Sequence, residues 1–154
     1  LYALRSKVLL EMGRGKASLE DWWSALNLQG EHTQGVCKQI AMVQIGLGRL
    51  ETAEAYLDDR KEEYPQEGAF WALAGKIAYL RGDFEGALKQ LDAAVERDGH
   101  VPSLLAARGT LLMNQGRYEE ASESFQHALK GEEENAGFLY GRAYCRWRSG
   151  QFGA

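Results

Sequence analysis

Two stretches of this 154-residue chain, LRGDFEGALKQLDAAVERDG from Leu80 and NQGRYEEASESFQHALKGEE from Asn114, carry the same punctuation 34 residues apart. Gly82 matches Gly116, Phe84 matches Tyr118, Ala87 matches Ala121 and Ala94 matches Ala128. A fixed period of this size means a stack of like units, none of which can bury its own apolar face. Extended both ways, the frame gives repeats at 34–67, 68–101 and 102–135 and a truncated one at 136–154. An incomplete, divergent repeat covers 1–32 if Thr33 is a one-residue insertion. Gly13, Gly48, Gly82, Gly116 and Gly150 mark one recurrent turn. Each ends an apolar-periodic run, as a residue just past a helix does when the chain must enter the left-handed region. A second run starts within a few residues. Runs of about 13 residues make helices roughly 20 Å long. The chain therefore reads as all-α, built from helical hairpins.

At this resolution of detail the residues resemble the tetratricopeptide repeat, whose 34-residue pattern places Trp, Leu-Gly, Tyr, Ala, Phe, Ala and Pro at set positions. The repeat at 68–101 supplies Trp71, Gly75, Ala78, Ala87, Leu91 and Ala94, and the next supplies Leu105, Gly109, Leu112, Ala121, Phe125 and Ala128. The repeat at 34–67 supplies Ile40, Ala41, Ala53, Leu57 and Pro65. Tyr2, Ser6, Leu9, Ser18, Trp22 and Ala25 match more loosely, and Leu139 and Ala143 fall in the last half-repeat. The resemblance implies a right-handed α-solenoid of stacked antiparallel hairpins, about four and a half repeats in a single array. It also implies a concave surface lined by the first helix of each pair. Small residues at 41, 75, 109 and 143 are expected where that helix meets its neighbour, with large ones at 22, 57, 91 and 125 filling the space between hairpins. Gln44, Arg60 and Arg146 depart from the pattern, and Arg5, Arg108 and Arg142 occupy a slot usually held by leucine. A half-buried guanidinium needs an anionic partner, so these are expected to reach the edge and pair with acids such as Glu120 or Glu123.

Composition narrows the function. A net charge of −4 disfavours nucleic acid, which calls for a basic stripe. No apolar run approaches the roughly 20 residues of a membrane span. Cys37 and Cys145 stand 108 residues apart and outside any metal-ligand spacing, so they read as two small buried or half-buried side chains. His32 and His100 fall in expected turns and His127 on a second helix, with no shared metal site or catalytic triad. The acidic runs LDDRKEEY and GEEEN lack a calcium loop's alternating ligands and glycine. They read instead as a solvated helix end and as helix-start acids favoured by the macrodipole. No glycine forms a phosphate loop, since each sits between helices. No enzyme, cofactor or metal is expected. The start lacks an initiator Met and a signal-peptide pattern, the end follows a turn, and both read as cut from a longer chain. Cytoplasm and bacterial periplasm both stay open.

By the geometry the resemblance implies, the concave face carries Lys38, Gln39 and Met42, then Ala72, Lys76 and Tyr79, then Ala106, Thr110 and Met113, and finally Tyr140, Tyr144 and Trp147. That set suits an extended or helical peptide laid over apolar pockets, with lysines meeting occasional acids. The alternative for each ring is inter-helix core. Chaperone-binding members clamp a terminal carboxylate with Lys and Asn on paired first helices, followed by Lys and Arg. The matching places here hold Lys38 with Met42, Leu73, and Ser103 with Ala107, so that subtype is disfavoured. The expected role is a non-catalytic scaffold or adaptor inside a larger multi-protein assembly, such as regulatory, secretion and polymer-export systems use. Two alternatives are a helical-repeat RNA-binding module and an array regulating an enzyme domain outside this segment. Tyr144, Trp147 and Phe152, in a half-repeat without its second helix, are expected to promote self-association at that end.

Overall fold

The computed structural model describes residues 2–29, 33–99 and 101–150, with the side chains of Ala3 and Gln29 left aside. Among them are nine helices and no strand: α1 (Tyr2–Glu11), α2 (Gly15–Gln29), α3 (Gln34–Gly46), α4 (Leu50–Glu63), α5 (Gly68–Leu80), α6 (Phe84–Asp98), α7 (Pro102–Asn114), α8 (Tyr118–Leu129) and α9 (Ala136–Arg148). The fold is an all-α helical-repeat solenoid. The turn at Gly82 shows how the hairpins are made. Its φ of 80° is left-handed, which lets its N–H reach the Tyr79 carbonyl at 3.0 Å while the Asp83 N–H reaches Ala78 at 3.0 Å. These two bonds satisfy carbonyls that the end of α5 would leave orphaned. Asp83 then opens α6, its carboxylate accepting from the Gly86 N–H at 2.9 Å. The same pair of backbone bonds recurs at Gly13, Gly48 and Gly116. His32, His100 and Phe152 lie outside the described residues.

The helices gather into two compact units, Leu1–Pro65 and Gln66–Ala154. In the first, α1 packs on α2, α2 on α3 and α3 on α4. Trp22, Ile40, Ala41, Ala53 and Leu57 are all buried. Burying each of the large side chains is worth about 1.5–3 kcal/mol. Ser6 and Ser18, standing where later repeats have Gly or Ala, are also fully buried. Their hydroxyls are satisfied: Ser18 donates to the Ser6 carbonyl and Ser6 to the Tyr2 carbonyl, both at 2.8 Å. Arg5 finds an acid, as expected for its slot, and the acid is Asp21, held in a two-pronged ion pair. The guanidinium holds the Asp21 carboxyl below the usual carboxylate range, chiefly through this hydrogen bond and against the cost of burial.

In the second unit α5 packs on α6, α6 on α7, α7 on α8 and α8 on α9. The core joins Ala87, Leu88 and Leu91 of α6 with Leu111 and Leu112 of α7, Ala121 and Phe125 of α8, and Cys145 of α9. Arg108 also meets an acid, though neither of the two named for its slot. Its Nε donates to Asp92 of α6 at 2.6 Å and its Nη1 to Ser124 of α8 at 2.7 Å. Arg108–Ser124 and Arg5–Asp21 share a spacing of 16, the distance in sequence between facing positions of one hairpin. Glu120, offered as a partner for that slot, pairs with Arg117 three residues before it at 2.6 Å.

Further differences concern caps and ends. The N-terminus of α5 is closed by Asp98 at the end of α6, which accepts from the Gly68 N–H at 2.8 Å. The acids of GEEEN do not enter the first turn of α9. They precede it, because Asn135 takes the capping place and accepts from Gly137 and Phe138 at 3.0 and 3.2 Å. Ala143 is exposed, whereas Ala41, Gly75 and Gly109 are buried. The latter two lie against the second helix of their own hairpins: Gly75 beside Leu91, and Gly109 beside Phe125. No described helix takes that place against α9.

Candidate functional site

A pocket of about 440 Å³ opens among α5, α6 and α7. Its inner surface comes from Gly75, Ala87, Leu91 and Leu111, its sides from Ala72, Leu104 and Ala107, and its polar edge from Lys76, Tyr79 and Thr110. The sequence makes this space by omission, since Ala or Gly stands at four of those positions. A Cβ on Gly75 would already sit 3.2 Å from the Ala87 carbonyl oxygen and 3.4 Å from Leu91 Cγ. Lys76 is the one charged lining residue. It is exposed and makes no ion pair with another described residue. The Thr110 hydroxyl donates to the Ala106 carbonyl of its own helix at 2.9 Å. Tyr79 is half exposed and leans on Phe84, ring centres 5.7 Å apart.

Of the residues expected on this face, Lys76, Tyr79 and Thr110 (with Ala72) therefore meet at one place. Tyr140, Tyr144 and Trp147 do not line the pocket. They form a separate row along α9, since spacings of four and three put them on one side of a helix. Tyr140 stacks on Tyr144 at 6.2 Å, and Tyr144 tilts against Trp147 at 5.8 Å. Tyr140 is 69% exposed and Trp147 56% exposed, so these rings are surface and not core. Met113 is half buried and packs on the core of the second unit. Lys38 is half buried and Met42 exposed on α3, in the first unit.

The sequence reading missed two participants. Tyr118 of α8 joins the ring row edge-on to Tyr144 at 6.3 Å. Arg148 lies 4.7 Å over the Tyr118 ring and donates to the Tyr144 hydroxyl at 2.8 Å. The repeat frame itself pointed to Tyr118, as the counterpart of Phe84. Nothing in the local pattern marked Arg148, whose partners sit on two helices.

Elsewhere the chemistry is quiet. Cys37 and Cys145 are fully buried, and burial pushes the Cys145 thiol above its usual range. His127 is exposed on α8. Among the described residues no cluster of His, Cys, Asp or Glu could hold a metal ion. No described helix is long and apolar enough to cross a membrane.

Hairpins closed by left-handed glycines, with small residues at the helix crossings and one large residue between pairs, define a helical-repeat protein. The tetratricopeptide repeat profile matches residues 39–102 and 106–154, and the chain belongs to that family. None of the curated proteins compared with it matches. Among solved structures, a MamA protein from Desulfovibrio magneticus RS-1 superposes with a TM-score of 0.72 at 16% identity, covering 96% of this chain and 83% of that one. A tetratricopeptide repeat protein from Parabacteroides merdae gives 0.75 at 16% identity, covering 97% and 59%. A chain of the APC/C hetero-tetramer Cut9–Hcn1 gives 0.75 at 14%, covering 96% of this chain and 30% of its own length. At these identities the likeness is one of fold. Family and fold make this chain a protein-interaction scaffold in the general sense.

Proposed function

We propose that this chain is a non-catalytic adaptor that binds a peptide or protein segment along the first helices of its hairpins. The observation that carries the reading is the apolar pocket beside Lys76, Tyr79 and Thr110, a concave site with one cation at its edge that pairs with no described acid. Pockets of this size with few polar groups are where binding energy concentrates. The ring row of Tyr140, Tyr144 and Trp147 extends the same repeat positions on α9, in the residue types that dominate binding surfaces. In the first unit, taken by itself, Lys38 and Met42 hold those repeat positions on α3. The segment fits a larger assembly, as one structural neighbour is itself described as part of a hetero-tetramer. The net charge of −4 weighs against an RNA groove.

A photo-crosslinking residue placed at Thr110 is expected to capture the native partner, and one at exposed Glu96 on α6 to miss it. With that partner in hand, calorimetry is expected to show Tyr79→Ala weakening binding by about 2 kcal/mol, as for a hot-spot aromatic. Lys76→Glu is expected to cost less. Equal capture at both places, or unchanged affinity in both variants, would put the site elsewhere.

A further inference from the structure

The pocket is not a general property of the repeats. At the next step along the second unit the large residue is Phe125, and its ring fills the corresponding space. A Cβ on Gly109 would lie 3.0 Å from that ring, and one on Gly141 would lie 2.7 Å from it. At the preceding step the same repeat position holds Leu91, and the space between α5 and α7 stays open. The wall also changes, from Phe138 to the smaller Leu104. We propose that the opening beside Leu91 is an anchor subsite for one bulky apolar side chain of a partner segment that sets a carboxylate at Lys76, and that Leu91 determines this choice. The inference rests on the adaptor reading given above and names the chemistry of the partner.

Three observations fix the occupant. The interior is apolar throughout, so a polar side chain entering it would lose its water without finding a replacement donor or acceptor. The Thr110 hydroxyl hydrogen is already committed to its own helix. Lys76 is the single charge at the edge and has no ion-pair partner among the described residues, so an incoming carboxylate meets a cation that no internal acid neutralises. A bulky apolar group with an acid close by satisfies both features, and a basic segment is repelled.

The test uses acetylated, amidated ten-residue peptides of Ser and Ala carrying one Phe and one Glu, with spacings of one to four residues. Binding to the full chain is followed by the methyl NMR signals of Leu91, Leu104 and Ala107. At least one spacing is expected to shift those methyls on titration. Replacing the peptide's Phe by Ser is expected to abolish the shifts, and replacing its Glu by Lys to weaken binding at least tenfold. Lys76→Glu in the protein is expected to weaken it equally. Leu91→Phe, made together with Ala107→Gly to give the ring the room that Gly141 gives Phe125, is expected to remove binding by filling the space. Ala107→Leu, at an exposed helical position, closes the same opening from the edge and decides the matter if Leu91→Phe does not fold. Equal binding of the Glu and Lys peptides, or binding unchanged by the filling variants, overturns the proposal. So does a shift of these methyls with protein concentration alone, which would make a second copy the occupant. If no peptide binds while crosslinks at Thr110 persist, the anchor is wrong and the adaptor reading stands. Loss of both results removes both.

Discussion

A valine at position 82 would have to adopt the φ of 80° now held by glycine. Left-handed backbone costs an ordinary residue roughly 1–2 kcal/mol, and a β-branched one more. Gly82→Val is therefore expected to lower stability by more than about 1 kcal/mol in denaturant unfolding, although nothing lies within 4 Å of the added Cβ. Gly46 gives the opposite case. It ends α3 without positive φ and has open space around it, so Gly46→Ala is expected to gain about 0.4–1 kcal/mol. Asp21 supplies a pH signature. Its carboxyl is lowered in the folded state, so its contribution is fully present above the ordinary carboxylate pKa near 3.9. That contribution fades as pH falls through the lowered value. Asp21→Asn is expected to be less stable than the parent at neutral pH, with the gap closing in acid, as urea midpoints from pH 7 to pH 2 will show. At the buried thiols, alkylation of Cys37 and Cys145 is expected to follow unfolding rather than precede it.

At the scale of the helix, the ends were unevenly legible. The five turn glycines could be read directly, because a left-handed residue after an apolar run is a local event written in adjacent residues. Asp98 could not, since it caps α5 from a position 30 residues later in the chain. Its removal in Asp98→Ala is expected to cost about 1 kcal/mol and to speed amide exchange in the first turn of α5 beyond that in α6. The guanidinium slot was legible as an anomaly and illegible as a contact. The sequence shows that Arg5 and Arg108 stand where leucine is usual, but their partners follow from the folded packing: Asp21 and Ser124 across the same hairpin, Asp92 on the hairpin before. The pocket divides in the same way. Lys76, Tyr79 and Thr110 followed from repeat position, whereas the opening itself depends on how far Leu91 and Leu104 fall short of filling the space.

For the molecule as a whole, the helical content is expected to appear as a far-ultraviolet spectrum without strand signal. The exposed rings at Tyr140 and Trp147 are expected to cause association that grows with concentration in sedimentation velocity, and Tyr140→Ser with Trp147→Ser to reduce it. The difference between Leu91 and Phe125 has a consequence of another kind. Where every hairpin is cut to one template, a binding address is a number modulo 34, and a few side chains per hairpin can open or shut it. Exchanging these residues together with the small ones that face them, Leu91→Phe with Ala107→Gly and Phe125→Leu with Gly141→Ala, would carry the vacancy one step along the second unit without altering the template. There it would find Thr110, Met113 and the rings of α9 at its edge in place of Lys76 and Tyr79, and so a different clientele. A chain of this kind can change partners by moving a hole, leaving its turns and its small-residue crossings untouched.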